Sequence, residues 1–178
     1  MDNFEETVRK DLHAYLHRTG LTDERMPETD DIGSIWQGIA TAYLPDGVRE
    51  YAGYPCVSLG WAMYIGMAVA AFWDSDWESY RNNPDIYAEL KAARGFDRMD
   101  EYIREEILGL KDGEYDRVEM IVGECAARTD SILHHSGIEA GSKEAFNAYL
   151  ACLHQMYLAG AAFQLSRMGY SMTKVSVQ

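Results

Sequence analysis

Proline, the residue that most effectively interrupts a helix, is scarce in this sequence. Four prolines occur in 178 residues, so few positions force a helix to end. Strand-like alternation of apolar and polar residues is also missing, as are internal repeats and low-complexity segments. Hydrophobic residues make up 47% of the chain, which is enough for one sizeable core. We therefore expect a single all-helical domain over residues 1–172 and a frayed polar tail at 173–178.

Cysteines are too few and too widely spaced for a disulfide framework. Cys56, Cys125 and Cys152 are far apart, with no Cys-x-x-Cys pair among them. Each lies in an apolar stretch, which is typical of a free cysteine that packs as a small hydrophobic residue. The first residues are acidic and lack the basic-then-apolar pattern of a signal peptide. These observations favour a reducing, cytoplasmic location.

Positive charge is in deficit. The chain has 16 Lys and Arg against 29 Asp and Glu, a formal net charge of -13. No run of Lys or Arg provides a basic patch, and an acidic surface repels phosphate backbones, so we expect no nucleic-acid partner. The acidity keeps the protein soluble. Alternatively, it indicates that the protein binds a basic partner.

Charge of either sign is absent from Cys56–Trp73. This length is where a membrane-spanning helix becomes a candidate. Small residues such as Ser58, Gly60 and Gly66 interrupt the run, acids follow it at once, and no basic cluster flanks it. We therefore expect a buried central helix and no membrane partner.

Apolar residues recur at helical spacing in about five long segments and in one or two short ones. The long segments are approximately residues 4–18, 31–44, 55–73, 114–135 and 142–168, and the short ones lie in 84–94 and after Asp97. We expect Pro45-Asp46-Gly47 to end the second long helix. Together these segments predict an all-α, single-domain helical bundle.

Helices 55–73 and 142–168 are predicted to be the central pair. Ser58, Ala62, Gly66 and Ala70 form a ridge of small side chains, which lets another backbone approach closely. Helix 142–168 is apolar nearly all round, as expected of a helix buried on every side. The alternative is that one of the two helices covers a homodimer interface.

The five histidines lack the spacings of common metal sites. None has an acid three residues before it, as in di-iron bundles, and no His-Glu-x-x-His motif occurs. His13 and His17 share one helix face, as do Asp130 and His134. On a helical wheel His13, His17 and His134 lie roughly 130°, 170° and 150° from the apolar stripes, so we expect them to face solvent. No metal and no cofactor are predicted.

Signatures of catalysis are also missing. Gly137–Lys143 has three residues between its glycines and serine before lysine, which differs from a phosphate-binding loop. No Gly-x-Ser-x-Gly elbow is present. We interpret Ser142 as the N-cap of the last helix, and we assign no catalytic residue.

Aromatic residues give one hint of a small-molecule site. Trp61 and Tyr64 lie on helix 55–73, and Tyr157 and Gln164 lie on helix 142–168. Aromatic rings with polar atoms often line ligand pockets between helices. A buried Gln164 amide needs a partner, which is either a tyrosine hydroxyl or a bound molecule.

Two functions therefore remain open. The first is a non-catalytic, soluble interaction or scaffold protein that self-associates, as a homodimer in the simplest case. The second is a small-molecule-binding protein or enzyme whose aromatic pocket is lined by Trp61, Tyr64, Tyr157 and Gln164. Because the helical wheel leaves no group of residues placed for catalysis or metal binding, the sequence favours the interaction protein.

Overall fold

Helices make up the framework of the protein in a computed structural model that describes residues 2–172. In chain order they are α1 (Asp2–Arg18), α2 (Asp30–Ser34), α3 (Trp36–Gly53), α4 (Pro55–Tyr80), α5 (Ile86–Ala92), α6 (Met99–Tyr102), α7 (Asp112–His134) and α8 (Lys143–Arg167). No strand occurs in the described range. The predicted all-α bundle, with five long helices, is confirmed. The predicted tail at 173–178 lies outside the described residues.

The second predicted helix is interrupted at a different place from the one expected. Thr29 caps α2, since its Oγ1 accepts a hydrogen bond from the Ile32 amide at 3.1 Å, and α2 gives way to α3 around Ile35. The expected break at Pro45 was wrong, because α3 continues through it to Gly53. Pro45 and Thr41 are both exposed. The Thr41 carbonyl that loses its helical donor can therefore be satisfied by water.

Helix α4 is longer than its uncharged run. It extends past Trp73 to Tyr80, with a break in helical geometry at Asp76 (φ -162°, ψ 69°). The helix predicted over 55–73 was therefore placed to end too early. Aromatic packing holds the added turns, since the rings of Phe72 and Tyr80 stack with centroids 4.0 Å apart.

Helices α4 and α8 form the centre of the bundle, as predicted. A Cβ atom added at Gly66 would lie 2.0 Å from the Tyr157 carbonyl oxygen, and one added at Gly160 would lie 2.0 Å from the Met63 carbonyl oxygen. The two backbones are therefore in direct contact at this crossing. Glycine is required on both sides because no other residue leaves room for the opposite main chain.

Helix α4 is also the one described helix that is long and apolar enough to span a membrane. Two thirds (67%) of its most apolar window is buried inside the protein. This degree of burial is typical of the core helix of a folded domain.

Helix α1 is attached across α7 and α8 by polar contacts. The Arg128 guanidinium of α7 donates two hydrogen bonds of 2.9 Å to the Asp11 carboxylate. The Glu5 carboxylate accepts a hydrogen bond from the Gln155 side chain of α8 at 2.6 Å. Beneath these contacts Val8, Leu12 and Leu16 are buried in the common core, as the apolar stripe predicts.

Candidate functional site

Two of the four side chains predicted to bind a ligand lie next to each other on α4. The rings of Trp61 and Tyr64 meet edge to face, with centroids 5.8 Å apart. Trp61 Nε1 donates a hydrogen bond to the Phe96 carbonyl at 2.7 Å. The indole therefore has an internal partner already.

The other two, on α8, also have internal partners. The Tyr157 hydroxyl donates to the Ile32 carbonyl at 2.7 Å. The Gln164 side-chain oxygen accepts a hydrogen bond from the Arg167 guanidinium at 2.9 Å, so its partner is an arginine and not a tyrosine. None of the four side chains lines the opening between α3, α7 and α8 or the cavity beside His13.

An open, largely apolar cavity lies between the C-terminal halves of α3 and α7 and the start of α8. We call it the α3–α7–α8 groove. Its volume is about 460 Å³, within the range of roughly 300–1,000 Å³ of ordinary ligand sites. Its lining comprises Val48, Tyr51, Leu133, His134, Ile138, Ala140, Gly141, Ser142, Ala145, Phe146 and Tyr149.

The loop from α7 to α8 forms one wall of this groove. Gly137 and Gly141 both have φ of +80°, in the left-handed region that glycine enters without strain, so the chain can reverse here in few residues. Ser142 then caps α8, as predicted, because its Oγ accepts a hydrogen bond from the Ala145 amide at 3.1 Å. The cap fixes the first turn of α8 and with it the position of Phe146.

Exposed apolar side chains stand in the groove. Val48 is 45% exposed and Phe146 is 44% exposed, and both belong to the lining. Phe146 belongs to the helix that was predicted to be buried on every side, but the bundle does not cover it. An apolar surface left open on a folded domain is a common feature of binding sites.

Polar groups in and beneath the groove are bonded to each other. The Tyr51 hydroxyl donates to Asp130 Oδ1 at 2.8 Å, and His134 Nδ1 lies 3.4 Å from the same oxygen. Deeper in, the Tyr149 hydroxyl lies 2.5 Å from Ser58 Oγ.

Burial determines the protonation of these groups. It raises the pKa of Tyr149 to about 12, and burial followed by the adjacent Asp130 carboxylate raises the pKa of Tyr51. Burial also raises the pKa of the Cys152 thiol to about 12. Near neutral pH the two phenols and the thiol are therefore protonated, which makes them poor bases and nucleophiles. The arrangement suits binding better than covalent catalysis.

Metal coordination has no obvious location in the described range. Among residues 2–172, no three His, Cys, Asp or Glu side chains are placed to hold one metal ion. His17 and His134 are exposed, as the helical wheel predicts.

The prediction that His13 faces solvent was wrong. Its side chain is half-buried, and its Nε2 atom is buried without a hydrogen-bond partner among the described residues. His13 lines a smaller cavity together with Glu24–Glu28, the segment that precedes α2. A helical wheel describes the faces of α1 alone, so it cannot show that a loop from elsewhere in the sequence lies beside one of those faces.

Comparison with known proteins gives no indication of a family or a function. No protein-family model matches the chain, and neither the curated proteins nor the solved structures include a significant match.

Proposed function

We propose that this protein is a non-catalytic helical interaction protein that associates with a second copy of itself through the α3–α7–α8 groove. The observation that carries the proposal is the absence of charge from the groove. Among residues 2–172, its lining contains no Asp, Glu, Lys or Arg, although the chain as a whole has a net charge of -13. Two such acidic molecules repel each other over most of their surfaces, so contact is favoured where carboxylates are missing.

The shape of the groove also fits a second copy. In a twofold symmetric dimer each partner presents the same patch, so the patch must be complementary to itself. Here exposed apolar side chains, Val48 and Phe146, stand beside an open apolar cavity. Phe146 from one copy is a suitable side chain to enter the groove of the other. Aromatic residues are enriched at the centres of such interfaces.

The central helices are poor candidates for the homodimer interface suggested by the sequence. The small residues of α4 and α8 are used against each other, at Gly66 and Gly160. Within α4 and α8, which the structure describes in full, the one large apolar side chain that is exposed is Phe146, at the beginning of α8. The same helix therefore contributes to the core along most of its length and to the proposed interface at its first turn.

The internal partners of the polar groups support a non-catalytic function. Tyr51 is bonded to Asp130, and Tyr149 to Ser58. The raised pKa of the Cys152 thiol keeps it protonated. Free Cys125 and Cys152 are buried, which suits the reducing cytoplasm in which we place the protein.

Sedimentation velocity over a range of protein concentrations tests the proposal. We expect the wild type to be a dimer and Phe146→Glu to be a monomer, because a carboxylate would be buried in an apolar interface. A glutamate in the first turn of α8 favours the helix, so the fold should be retained. Met120→Glu is the matched control, since Met120 is 66% exposed and lies outside the groove. A monomeric wild type, or a dimeric Phe146→Glu, would contradict the proposal.

Small-molecule binding is the second candidate. In the form predicted from the sequence, Trp61, Tyr64, Tyr157 and Gln164 hold the ligand, and three of them would have to exchange their internal hydrogen bonds for bonds to it. Native mass spectrometry before and after denaturation distinguishes the two candidates. A small molecule retained by a monomer favours this second function, and a dimer without added mass favours the first.

A further inference from the structure

The α3–α7–α8 groove contains one histidine, His134, among the described residues that line it. Histidine is the side chain whose charge ordinarily changes between pH 5 and 8. The His134 side chain is 62% exposed in the single chain, and a second copy seated in the groove, as proposed above, would cover it. Regulation of the groove through His134 therefore rests on the proposed self-association.

The Asp130 carboxylate lies directly beside this histidine. His134 Nδ1 is 3.4 Å from Asp130 Oδ1 and 3.3 Å from the Asp130 carbonyl oxygen. Asp130 Oδ1 also accepts the hydrogen bond from the Tyr51 hydroxyl, and the Asp130 side chain is only 16% exposed. A hydroxyl leaves the negative charge of the carboxylate in place, whereas a protonated imidazole would neutralise it.

The other titratable groups around this pair are neutral in the same pH range. Burial is the first cause that raises the pKa of Tyr149 and of the Cys152 thiol to about 12. Burial followed by the same carboxylate raises the pKa of Tyr51 and of the Cys56 thiol at the start of α4. Glu139 of the α7–α8 loop is exposed and outside the lining. Between pH 5 and 8 the charge of the groove is therefore determined by the histidine and the carboxylate beside it.

Covering the groove has different consequences for the two protonation states of His134. With a neutral imidazole, the second copy would exclude water from the Asp130 carboxylate and leave it without a countercharge, which disfavours association. With an imidazolium, Nδ1–H donates to the carboxylate, and the attraction between the opposite charges grows as water is excluded. That gain offsets the loss of water around the imidazolium. Phe146 of the second copy adds an aromatic ring, which attracts a cation.

The charge of the whole molecule acts in the same direction. Each copy has a net charge of -13, so two copies repel each other. A proton bound at each groove reduces this repulsion where the copies are closest. Because proton binding and association are linked, a dimer that binds the proton more tightly than the monomer is itself strengthened by acid.

We propose that His134 is a proton switch for self-association: protonation closes its ion pair with Asp130 and tightens the dimer, and deprotonation loosens it. The two side chains are one turn apart on α7, so the switch requires no movement of the helices. Mildly acidic solution would then bring two copies together, and mildly alkaline solution would release them.

Sedimentation velocity of the full chain at about pH 8 and about pH 6, at one ionic strength, measures the effect. We expect the dissociation constant of the wild-type dimer to be at least about tenfold lower at the lower pH. A dimer with the same dissociation constant at both pH values overturns the switch and leaves the proposed self-association intact. A monomer at both pH values contradicts the self-association itself.

His134→Gln tests the residue, and His135→Gln is its matched control. Glutamine keeps a polar side chain but takes up no proton, so His134→Gln should reduce the pH effect to less than about threefold. His135 is exposed, its Nδ1 lies 2.8 Å from the Ser131 carbonyl oxygen, and it is outside the groove lining. His135→Gln should therefore keep the full effect. A full effect in His134→Gln, or its loss in His135→Gln, would assign the pH dependence to other groups and overturn the proposal.

Asp130→Asn tests the ion pair separately from the histidine. Asparagine keeps an oxygen for the Tyr51 hydroxyl but has no charge, so acid should no longer strengthen the dimer. Circular dichroism checks that the helices are retained. A tenfold strengthening by acid that persists in Asp130→Asn would show that this carboxylate is not the partner of the imidazolium and would contradict the proposal.

Discussion

Arg104 is a charged side chain in the interior, only 1% exposed. It lies in a π-helical turn, Ile103–Ile107, which follows α6. Its guanidinium is paired with Asp100 at 2.8 Å and lies 4.0 Å from the centre of the Tyr115 ring. A flat guanidinium can stack on an aromatic face and bond a carboxylate at the same time. This combination is what makes a buried arginine tolerable.

Substitution of Arg104 should be strongly destabilising. Arg104→Met leaves the Asp100 carboxylate, whose pKa is already raised by burial, without its partner. Removing one member of a buried ion pair costs about 3–5 kcal/mol. Urea unfolding measures the loss. Adding Asp100→Asn to Arg104→Met should recover part of it, because the orphaned charge is then gone. A loss below about 1 kcal/mol would mean that the pair contributes no more than a surface ion pair.

At the scale of helices, the crossing of α4 and α8 sets the strictest requirement on the sequence. Gly66→Ala would place a methyl group 2.0 Å from the Tyr157 carbonyl oxygen, which is backbone and cannot rotate away. The two central helices would have to separate, and the core around them would lose contacts. We expect a loss of at least about 3 kcal/mol, or failure to fold.

Gly123→Ala is the matched control for that substitution. Gly123 lies within α7, and an added Cβ there would meet nothing within 4 Å. Alanine is favoured over glycine inside a helix by up to about 1 kcal/mol, so this variant should be slightly more stable than the wild type. Thermal unfolding followed by circular dichroism compares the two. Similar melting temperatures for both variants would show that the crossing tolerates a methyl group.

The same crossing shows what could be read from the sequence. The ridge Ser58, Ala62, Gly66 and Ala70 predicted a close backbone neighbour, and α8 is that neighbour at Gly66. Side-chain volume and spacing are local properties, so the five long helices and the central pair followed from them. Pro45 was misread because breaking a helix depends on whether the freed carbonyl is buried, which is a property of the fold.

The candidate sites were less predictable for a related reason. Phe146 and Val48 have the apolar character of core residues, and nothing local distinguishes a core position from an open groove. The one available signal for Phe146 was its place directly after the turn between Gly137 and Gly141, because connecting segments lie at the surface. The position of His13 required knowledge of the segment Glu24–Glu28, which lines one cavity with it although no periodicity of the sequence connects the two.

For the whole molecule, buried phenols connect the layers of the bundle. Tyr43 donates to the Ser58 carbonyl at 2.6 Å and joins α3 to α4. Tyr157 joins α8 to Ile32 of α2 at 2.7 Å. Burial is the main cause that raises the pKa of Tyr43, Tyr64, Tyr149 and Tyr157 above the ordinary value. These four residues are distributed over three helices, so their ionisation affects the core as a unit.

Stability should therefore fall in alkaline solution. A tyrosine whose folded pKa lies above its unfolded pKa of about 10 contributes fully below that value, and the contribution is lost as the pH rises towards the folded pKa. At about pH 11 each fully buried phenol favours the unfolded chain by about 1.4 kcal/mol, and four together by about 6 kcal/mol. That is comparable to the entire stability of a small domain, about 5–15 kcal/mol. Tyrosinate absorbance and helical circular dichroism should change together near this pH. Ionisation of all tyrosines with the helices retained would show that the phenols are accessible in the folded protein and would contradict the burial described here.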